Sequence, residues 1–177
     1  SFNGNKVITS GGGGMVIARN TEHVQLAKHL STQAKSDPVE FVHDQIGFNY
    51  RLSNLCAAVG VAQMERLDEF IERKRYHATL YETALSQNEC WAIVPEPEGC
   101  LGTYWMVLLR TRETREGVVK QVRAWSQEGI GVRPIWRPLH MIPLYRKGFY
   151  FGGNCAEAAY ERTFCLPSSV GLSEDEI

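Results

Sequence analysis

The feature that most constrains this fold is a long helical pattern over residues 53–86. Apolar and charged side chains alternate there with a period close to 3.6, and Ser53 is suited to cap the N-terminus. A helix of roughly 30 residues is about 45 Å long. That is too long for the edge of a small globule, so we expect a helix that bridges two domains or bends at a joint. The apolar face comprises Leu55, Val59, Ala62, Leu67, Phe70, Ile71, Tyr81 and Leu85.

Composition limits the chain to a globular protein of about one domain. Of its 177 residues 44% are hydrophobic and 22% are charged, which is enough to bury a core. A net charge of −1 does not favour binding to nucleic acid or to an anionic membrane surface. The apolar runs are far shorter than the roughly 20 residues of a transmembrane helix, and no basic-then-apolar leader is visible. We therefore expect no nucleic-acid or membrane partner.

The ends and the cysteines suggest a fragment of an intracellular protein. The chain starts at Ser1 without a methionine, and it stops at residues 173–177, which have the pattern of a first helical turn. We expect a piece of a longer protein; a processed chain is the alternative. Five scattered cysteines without a Cys-x-x-Cys motif favour a cytoplasmic location, and no histidine spacing indicates a metal site.

Local patterns predict two regions on either side of the long helix. Residues 1–20 have the pattern of strand, tight turn and strand, and residues 21–35 that of a helix capped by Thr21. Residues 36–52 form a long loop with three aromatics, which is typical of a functional loop. After the proline-rich break at 95–99, strands are predicted at 102–111 and 130–136 and helices at 114–127 and 154–162. This order indicates an α/β unit of about three strands over residues 100–177.

The first fifteen residues carry the most chemistry. Lys6 lies among small and β-branched residues with no carboxylate nearby in sequence, and a lysine amine can form a Schiff base with an aldehyde or ketone. Ser1 and the backbone amides of small residues could bind a phosphate. A lysine that forms an imine and a group that binds phosphate are what a pyridoxal 5′-phosphate site requires. The alternative is that Lys6 is an ordinary surface lysine at a hairpin. The glycines at 11–14 lead into a predicted strand, so a nucleotide-binding P-loop is rejected.

Four sequence blocks in order resemble one known family. They are residues 1–15 (SFNGNKVITSGGGGM), 46–63 (with IGFNYRLSN and AAVGVAQ), 133–145 (with RPIWRPLH and PLY) and 166–169 (LPSS). Together they are similar to the DegT/StrS-type nucleotide-sugar aminotransferases, which are pyridoxal-phosphate enzymes of fold type I, the aspartate-aminotransferase fold. The resemblance covers the C-terminal half of that fold and nearly the whole chain.

The resemblance implies roles for seven residues. Lys6 matches the lysine that binds the cofactor and moves the proton during catalysis, and Ser1 matches a serine that contacts the cofactor phosphate. Asn49, with Arg51 as its companion, matches the loop that reaches the cofactor of the neighbouring subunit. His140 matches a histidine near the sugar site, with Trp136 and Arg137 beside it. For His140 the alternative is a packed loop histidine, and for Trp136 a core aromatic at a strand end.

The resemblance also implies an activity and a layout. The activity is transfer of an amino group, usually from glutamate, to a nucleotide-linked 4-keto-6-deoxy sugar in amino-sugar and polysaccharide biosynthesis, by a homodimer. The implied layout is residues 1–52 as the edge of the large domain, 53–86 as the interdomain helix and 87–177 as the small domain. One alternative is a dehydratase of the same family, in which histidine replaces the lysine; the presence of Lys6 disfavours it. Another alternative is a non-catalytic interaction or dimerisation module. The family's pyridine-nitrogen aspartate lies upstream of the lysine, so we expect the isolated chain to be inactive.

Overall fold

The computed structural model describes all residues, 1–177, and divides into two compact units, 1–68 and 69–177. The first unit contains helix α1 (Thr21–Ser31), strands β1 (Lys35–Asp37) and β2 (Val42–His43), and helix α2 (Asn54–Met64). Helix α3 (Leu67–Ala84) begins at the unit boundary and lies mostly in the second unit. The predicted α/β class is confirmed.

The second unit is a four-stranded antiparallel sheet with helices. Its elements are β3 (Trp91–Ile93), β4 (Val107–Thr111), α4 (Arg115–Gln127), β5 (Arg133–Pro134), α5 (Cys155–Arg162) and β6 (Thr163–Leu166), with short 3₁₀ helices at Leu139–Met141 and Glu174–Glu176. The sheet order is β3-β4-β6-β5. No helix of the structure combines the length and the apolar character that crossing a membrane requires.

The core of the second unit lies between the sheet and helices α3 and α4. Phe164 in β6, Leu109 in β4 and Val118 in α4 are almost completely buried. Strand β6 is buried along its whole length, because β4 and β5 pair with its two edges. The edge-on contact of Trp125 with Phe164, at 5.5 Å between ring centroids, extends this core.

The first unit has almost no core of its own. Ser10 and Ala34 are its only buried residues. Helix α2 is apolar on nearly every side and buries no residue, although such helices are normally buried. Large apolar side chains are therefore left exposed throughout the unit, among them Met15, Val16, Ile17, Val39, Phe41, Ile46, Tyr50, Leu55 and Val61.

The prediction of strand, turn and strand for residues 1–20 was wrong. The segment folds instead as an irregular loop, with the Phe2 amide donating to the Gly13 carbonyl at 2.9 Å and the Ser10 amide to the Phe2 carbonyl at 3.0 Å. Gly11 and Gly13 adopt positive φ angles of 80° and 82°, which turn the chain away from a strand. Asn20, rather than Thr21, caps helix α1, because its side chain accepts the Glu22 amide at 2.8 Å.

The long helix, predicted as a single helix that could bend at a joint, is divided into two helices by a short break. Helical structure stops after Met64 and resumes at Leu67, although no glycine or proline lies between them. The break at residues 65–66 lies just before the boundary of the two units at Asp68 and Glu69, and no helix-breaking residue marks it. Ser53 caps α2 as predicted, accepting the Cys56 amide.

The second unit follows its prediction more closely. Helix α4 is capped by Thr114 and followed by Gly129, which has a φ of 85°. The three strands expected over residues 100–177 are present, and Trp91–Ile93 adds a fourth that was not predicted. The strand predicted from residue 102 starts only at Val107, because Tyr104 has a φ of 44° that extended structure excludes.

Candidate active-site residues

Lys6 lies on a loop that backbone hydrogen bonds close upon itself. Its amide donates to the Asn3 carbonyl at 3.0 Å, and the hydroxyl of Thr9 donates to the Phe2 carbonyl at 3.1 Å. The side chain of Lys6 is half-buried. Ser1 is exposed on the same loop, and its Oγ accepts the Asn3 amide at 3.4 Å. The structure thus places the amine and the hydroxyl five residues apart on one short, closed loop.

Helix α2 holds this loop in place. The side-chain oxygen of Gln63 accepts the Thr9 amide at 3.3 Å. Ser10 is 2% exposed, and a Cβ added to Gly60 would lie 3.4 Å from the Cβ of Ser10. The loop and the helix therefore pack closely at this point, and a side chain larger than glycine at position 60 would crowd it.

Asn49 and Arg51 belong to a segment fixed to the end of helix α1. The amides of Phe48 and Tyr50 donate to the carbonyls of Leu30 and Ser31 at 2.7 and 3.0 Å. The Phe48 and Tyr50 rings stack at 5.1 Å between centroids. Asn49 and Arg51 are exposed. Their backbone is thus held while their side chains are open to a ligand or another chain.

His140 is the centre of a small cluster in the second unit. Its Nε2 lies 2.7 Å from Oε1 of Glu157, and the Tyr150 ring packs on the imidazole at 4.1 Å between centroids. The Tyr150 hydroxyl donates to the Gly153 carbonyl, which secures the loop before α5. His140 is therefore held on one edge and covered on one face.

The electrostatics of this cluster favour an ionised Glu157. The interaction with its own backbone amide lowers the pKa of the Glu157 carboxyl from its ordinary value. Partial burial raises this pKa and the hydrogen bond from His140 lowers it, so the pKa remains below its ordinary value. Burial and the nearby Glu157 carboxylate raise the pKa of Tyr150 above its ordinary value. At neutral pH the cluster therefore contains a carboxylate and a neutral phenol.

Arg137 and Trp136 contact different residues. Arg137 donates from Nε to the Tyr160 hydroxyl at 3.2 Å, and Arg115 lies 3.8 Å over the Tyr160 ring. Trp136 stacks on Trp105 at 5.9 Å between centroids and remains 60% exposed. The structure therefore attaches both Arg137 and His140 to helix α5, whereas Trp136 contacts the segment before β4.

The seven predicted residues fall into two groups. Ser1, Lys6, Asn49 and Arg51 lie in the first unit, and Trp136, Arg137 and His140 lie in the second. Sequence reasoning missed Glu157, Tyr150 and Tyr160, which contact His140 or Arg137. The spacing of Glu157 and Tyr160, one turn apart on a predicted helix, was the only available signal.

A solved structure gives the class of protein. The aminotransferase TlmJ from Streptoalloteichus hindustanus matches with a TM-score of 0.88 and 27% identity, covering 99% of this chain and 47% of that one. The fold is thus that of an aminotransferase over the part that the chain represents.

Sequence comparison gives the family. The profile of the DegT/DnrJ/EryC1/StrS aminotransferase family matches residues 1–177, and the chain belongs to this family. EpsN of Bacillus subtilis strain 168, described as a candidate pyridoxal phosphate-dependent aminotransferase, is 37% identical over 180 residues, covering 99% of this chain and 46% of that protein. A GDP-perosamine synthase of Escherichia coli O157:H7 is 37% identical over 179 residues, covering 100% and 48%. The chain spans about half the length of the curated relatives it matches.

Proposed function

We propose that this chain is the C-terminal part of a pyridoxal-phosphate-dependent aminotransferase that transfers an amino group to a nucleotide-linked keto sugar. The observation that carries the proposal is Lys6, half-buried on a closed glycine-rich loop. The sequence resemblance assigns this lysine to the position of the family's cofactor lysine. Residues 1–52 would form an edge of the large domain, residues 53–86 the connection and residues 87–177 the small domain. Glutamate is the proposed amino donor.

The residues of the loop fit that cofactor chemically. A lysine amine is the group that binds an aldehyde, and an exposed hydroxyl with neighbouring backbone amides suits a phosphate. When bound, the cofactor supplies an electron sink for the carbon next to the amine. Lys6 would hold it and carry a proton at that carbon, and Ser1 would bind the phosphate.

The exposed apolar surface of the first unit supports the same layout. Helix α2 buries none of its residues, and removal of such a surface from water stabilises a fold by roughly 25 cal/mol per Å². We propose that the rest of the large domain, in the half of the relatives that this chain does not span, covers this helix. Asn49 and Arg51 would reach the cofactor of the neighbouring subunit in a homodimer.

His140, with Arg137 and Trp136, is the proposed sugar-binding group. A histidine held by a carboxylate can bond a sugar hydroxyl, an arginine can bind a phosphate oxygen, and an exposed tryptophan can stack on a ring. The relatives named as GDP-perosamine synthases support a nucleotide-linked sugar, and the relative named as a dTDP-4-dehydro-2,3,6-trideoxy-D-glucose 4-aminotransferase supports a keto group at C4.

The direct test uses the full-length enzyme with pyridoxal phosphate. Borohydride reduction followed by peptide mass spectrometry should find the cofactor on Lys6, and glutamate-dependent amination should be followed with GDP-, UDP- and dTDP-linked 4-keto-6-deoxy sugars. Labelling of another lysine would overturn the assignment of Lys6. An absence of both labelling and amination would favour the non-catalytic module, and loss of a sugar hydroxyl without amination would favour the dehydratase.

A further inference from the structure

The contact between His140 and Glu157 is not explained by a contribution to folding stability. The two side chains are 25% and 29% exposed, and ion pairs with that much exposure contribute little to folding. The other carboxylate oxygen of Glu157, Oε2, is buried and has no hydrogen-bond partner. A buried acceptor without a partner is unfavourable, so the carboxylate at this position does not add to stability through Oε2.

The first step of the argument is the direction of the hydrogen bond. An ionised carboxylate offers only acceptors, and Glu157 Oε1 lies 2.7 Å from His140 Nε2. Nε2 must therefore carry the hydrogen. In the neutral form of an imidazole one nitrogen donates and the other accepts, so in that form this contact leaves Nδ1 with its lone pair.

The second step is the restriction of the ring. Tyr150 packs against the imidazole with an angle of 33° between the planes, and its hydroxyl lies 3.5 Å from Glu157 Oε1. Glu157 holds the Nε2 edge while Tyr150 covers a face. Rotation that would exchange the two nitrogens is therefore opposed on two sides.

We infer that Glu157 is a positioning residue that holds the neutral His140 in the tautomer whose Nδ1 accepts a hydrogen bond from a hydroxyl of the nucleotide-linked sugar. The inference rests on the proposed function, in which His140 binds the sugar. Glu157 acts through His140 and contacts no reacting atom. Removal of the carboxylate should therefore weaken sugar binding and leave the reaction with the amino donor intact.

The experiment compares variants of the full-length enzyme by kinetics and by ¹⁵N NMR of the His140 ring. Glu157→Ala should raise KM for the sugar about tenfold, the size of one lost hydrogen bond. It should leave the glutamate half-reaction unchanged, and the NMR spectrum should change from one tautomer to a mixture. Glu157→Gln keeps an acceptor for the Nε2 hydrogen and should stay close to the wild type. Glu161→Gln, one turn further along α5, is the matched control and should change neither readout.

The outcomes separate the inference from the proposed function. In the His140→Ala background, Glu157→Ala should cause no further rise in KM. If Glu157→Ala leaves the tautomer and KM unchanged while His140→Ala raises KM, the positioning role is wrong and the sugar site stands. If His140→Ala itself leaves KM unchanged, the sugar role of His140 is wrong, and the inference is overturned with it.

Discussion

The side-chain nitrogen of Lys74 donates to the backbone carbonyl of Ser168, 94 residues further along the chain. It also donates to the carbonyl of Trp105 at 3.3 Å, and the Ser168 hydroxyl donates to that same carbonyl at 3.0 Å. Lys74 is 6% exposed. A buried ammonium on α3 thus joins the segment before β4 to the segment after β6, which are neighbouring strands of one sheet.

Replacement of Lys74 should destabilise the second unit. Lys74→Met keeps the length of the side chain but leaves the Ser168 carbonyl without this donor, at a cost of about 1–3 kcal/mol. Burial disfavours the charged form of Lys74 and lowers its pKa. Removal of this buried charge therefore offsets part of the decrease in stability. Thermal and denaturant unfolding of the full-length protein should show the decrease. Lys120→Met, at an exposed position on α4, is the control, and an equal effect of both variants would contradict the role of Lys74.

Gly47 should tolerate no side chain. A Cβ at this position would lie 2.5 Å from the backbone nitrogen of Ala34 and 2.5 Å from the carbonyl carbon of Gln33. Since backbone atoms cannot move aside cheaply, Gly47→Ala should cost about 1–3 kcal/mol and loosen the segment that carries Asn49. Hydrogen exchange at residues 30–34 and 46–50 should increase. Gly4→Ala, which meets no atom within 4 Å, should have no such effect; unchanged exchange in Gly47→Ala would contradict the prediction.

The ion pair of Arg75 with Glu96 should make the second unit sensitive to acid. Arg75 donates to the Glu96 carboxylate at 2.6 Å, and this bond, with a second from the Gly102 amide, lowers the pKa of Glu96. A carboxyl with a lowered folded-state pKa contributes stability above its unfolded value of about 4.3, and that contribution is lost as the pH falls through the folded-state pKa. The Tm advantage of the wild type over Glu96→Gln should therefore shrink below about pH 4.

Glu98 provides the control for this measurement. It is exposed and only two residues away, so Glu98→Gln should follow the wild-type curve at every pH. A difference between wild type and Glu96→Gln that stays constant down to pH 2 would mean that the ionised carboxylate is not the source of the stability.

Replacement of Lys6 should abolish turnover while cofactor binding persists. In the full-length enzyme Lys6→Ala should reduce amination by several orders of magnitude, because nucleophilic and acid–base terms are each worth roughly 10²–10⁴-fold. Lys6→Arg should fail equally, since a guanidinium stays protonated and cannot form an imine. Absorbance titration with the cofactor and steady-state assays measure the two properties. Lys28→Ala on α1 is the control, and an active Lys6→Arg enzyme would contradict the assignment.

The full-length enzyme should assemble at least as a dimer. Phe41, Phe48 and Tyr50 are exposed beside Asn49, and aromatics in this position favour a protein interface. Asn49→Ala should weaken cofactor binding, and mixing it with Lys6→Ala subunits should restore part of the activity if Asn49 serves a neighbouring site. Light scattering that finds a stable, active monomer would contradict this prediction.

The sequence alone determined the family, the α/β class and most helices. Capping residues act locally, so Ser53 could be assigned from its neighbours. The candidate residues came from the resemblance to the family, and the sequence could not pair them. His140 and Glu157 are 17 residues apart, and no periodic pattern links a 3₁₀ turn to a helix across a loop.

Only the tertiary structure decided the strands, the helix break and the contacts of the site. The first loop has strand-forming residues, but Val7 and Ile8 find no partner strand, and strands exist only where another strand accepts their hydrogen bonds. Trp91–Ile93 becomes a strand because β4 lies beside it. The break after Met64 falls in a stretch without glycine or proline, so the preferences of the individual residues did not predict it.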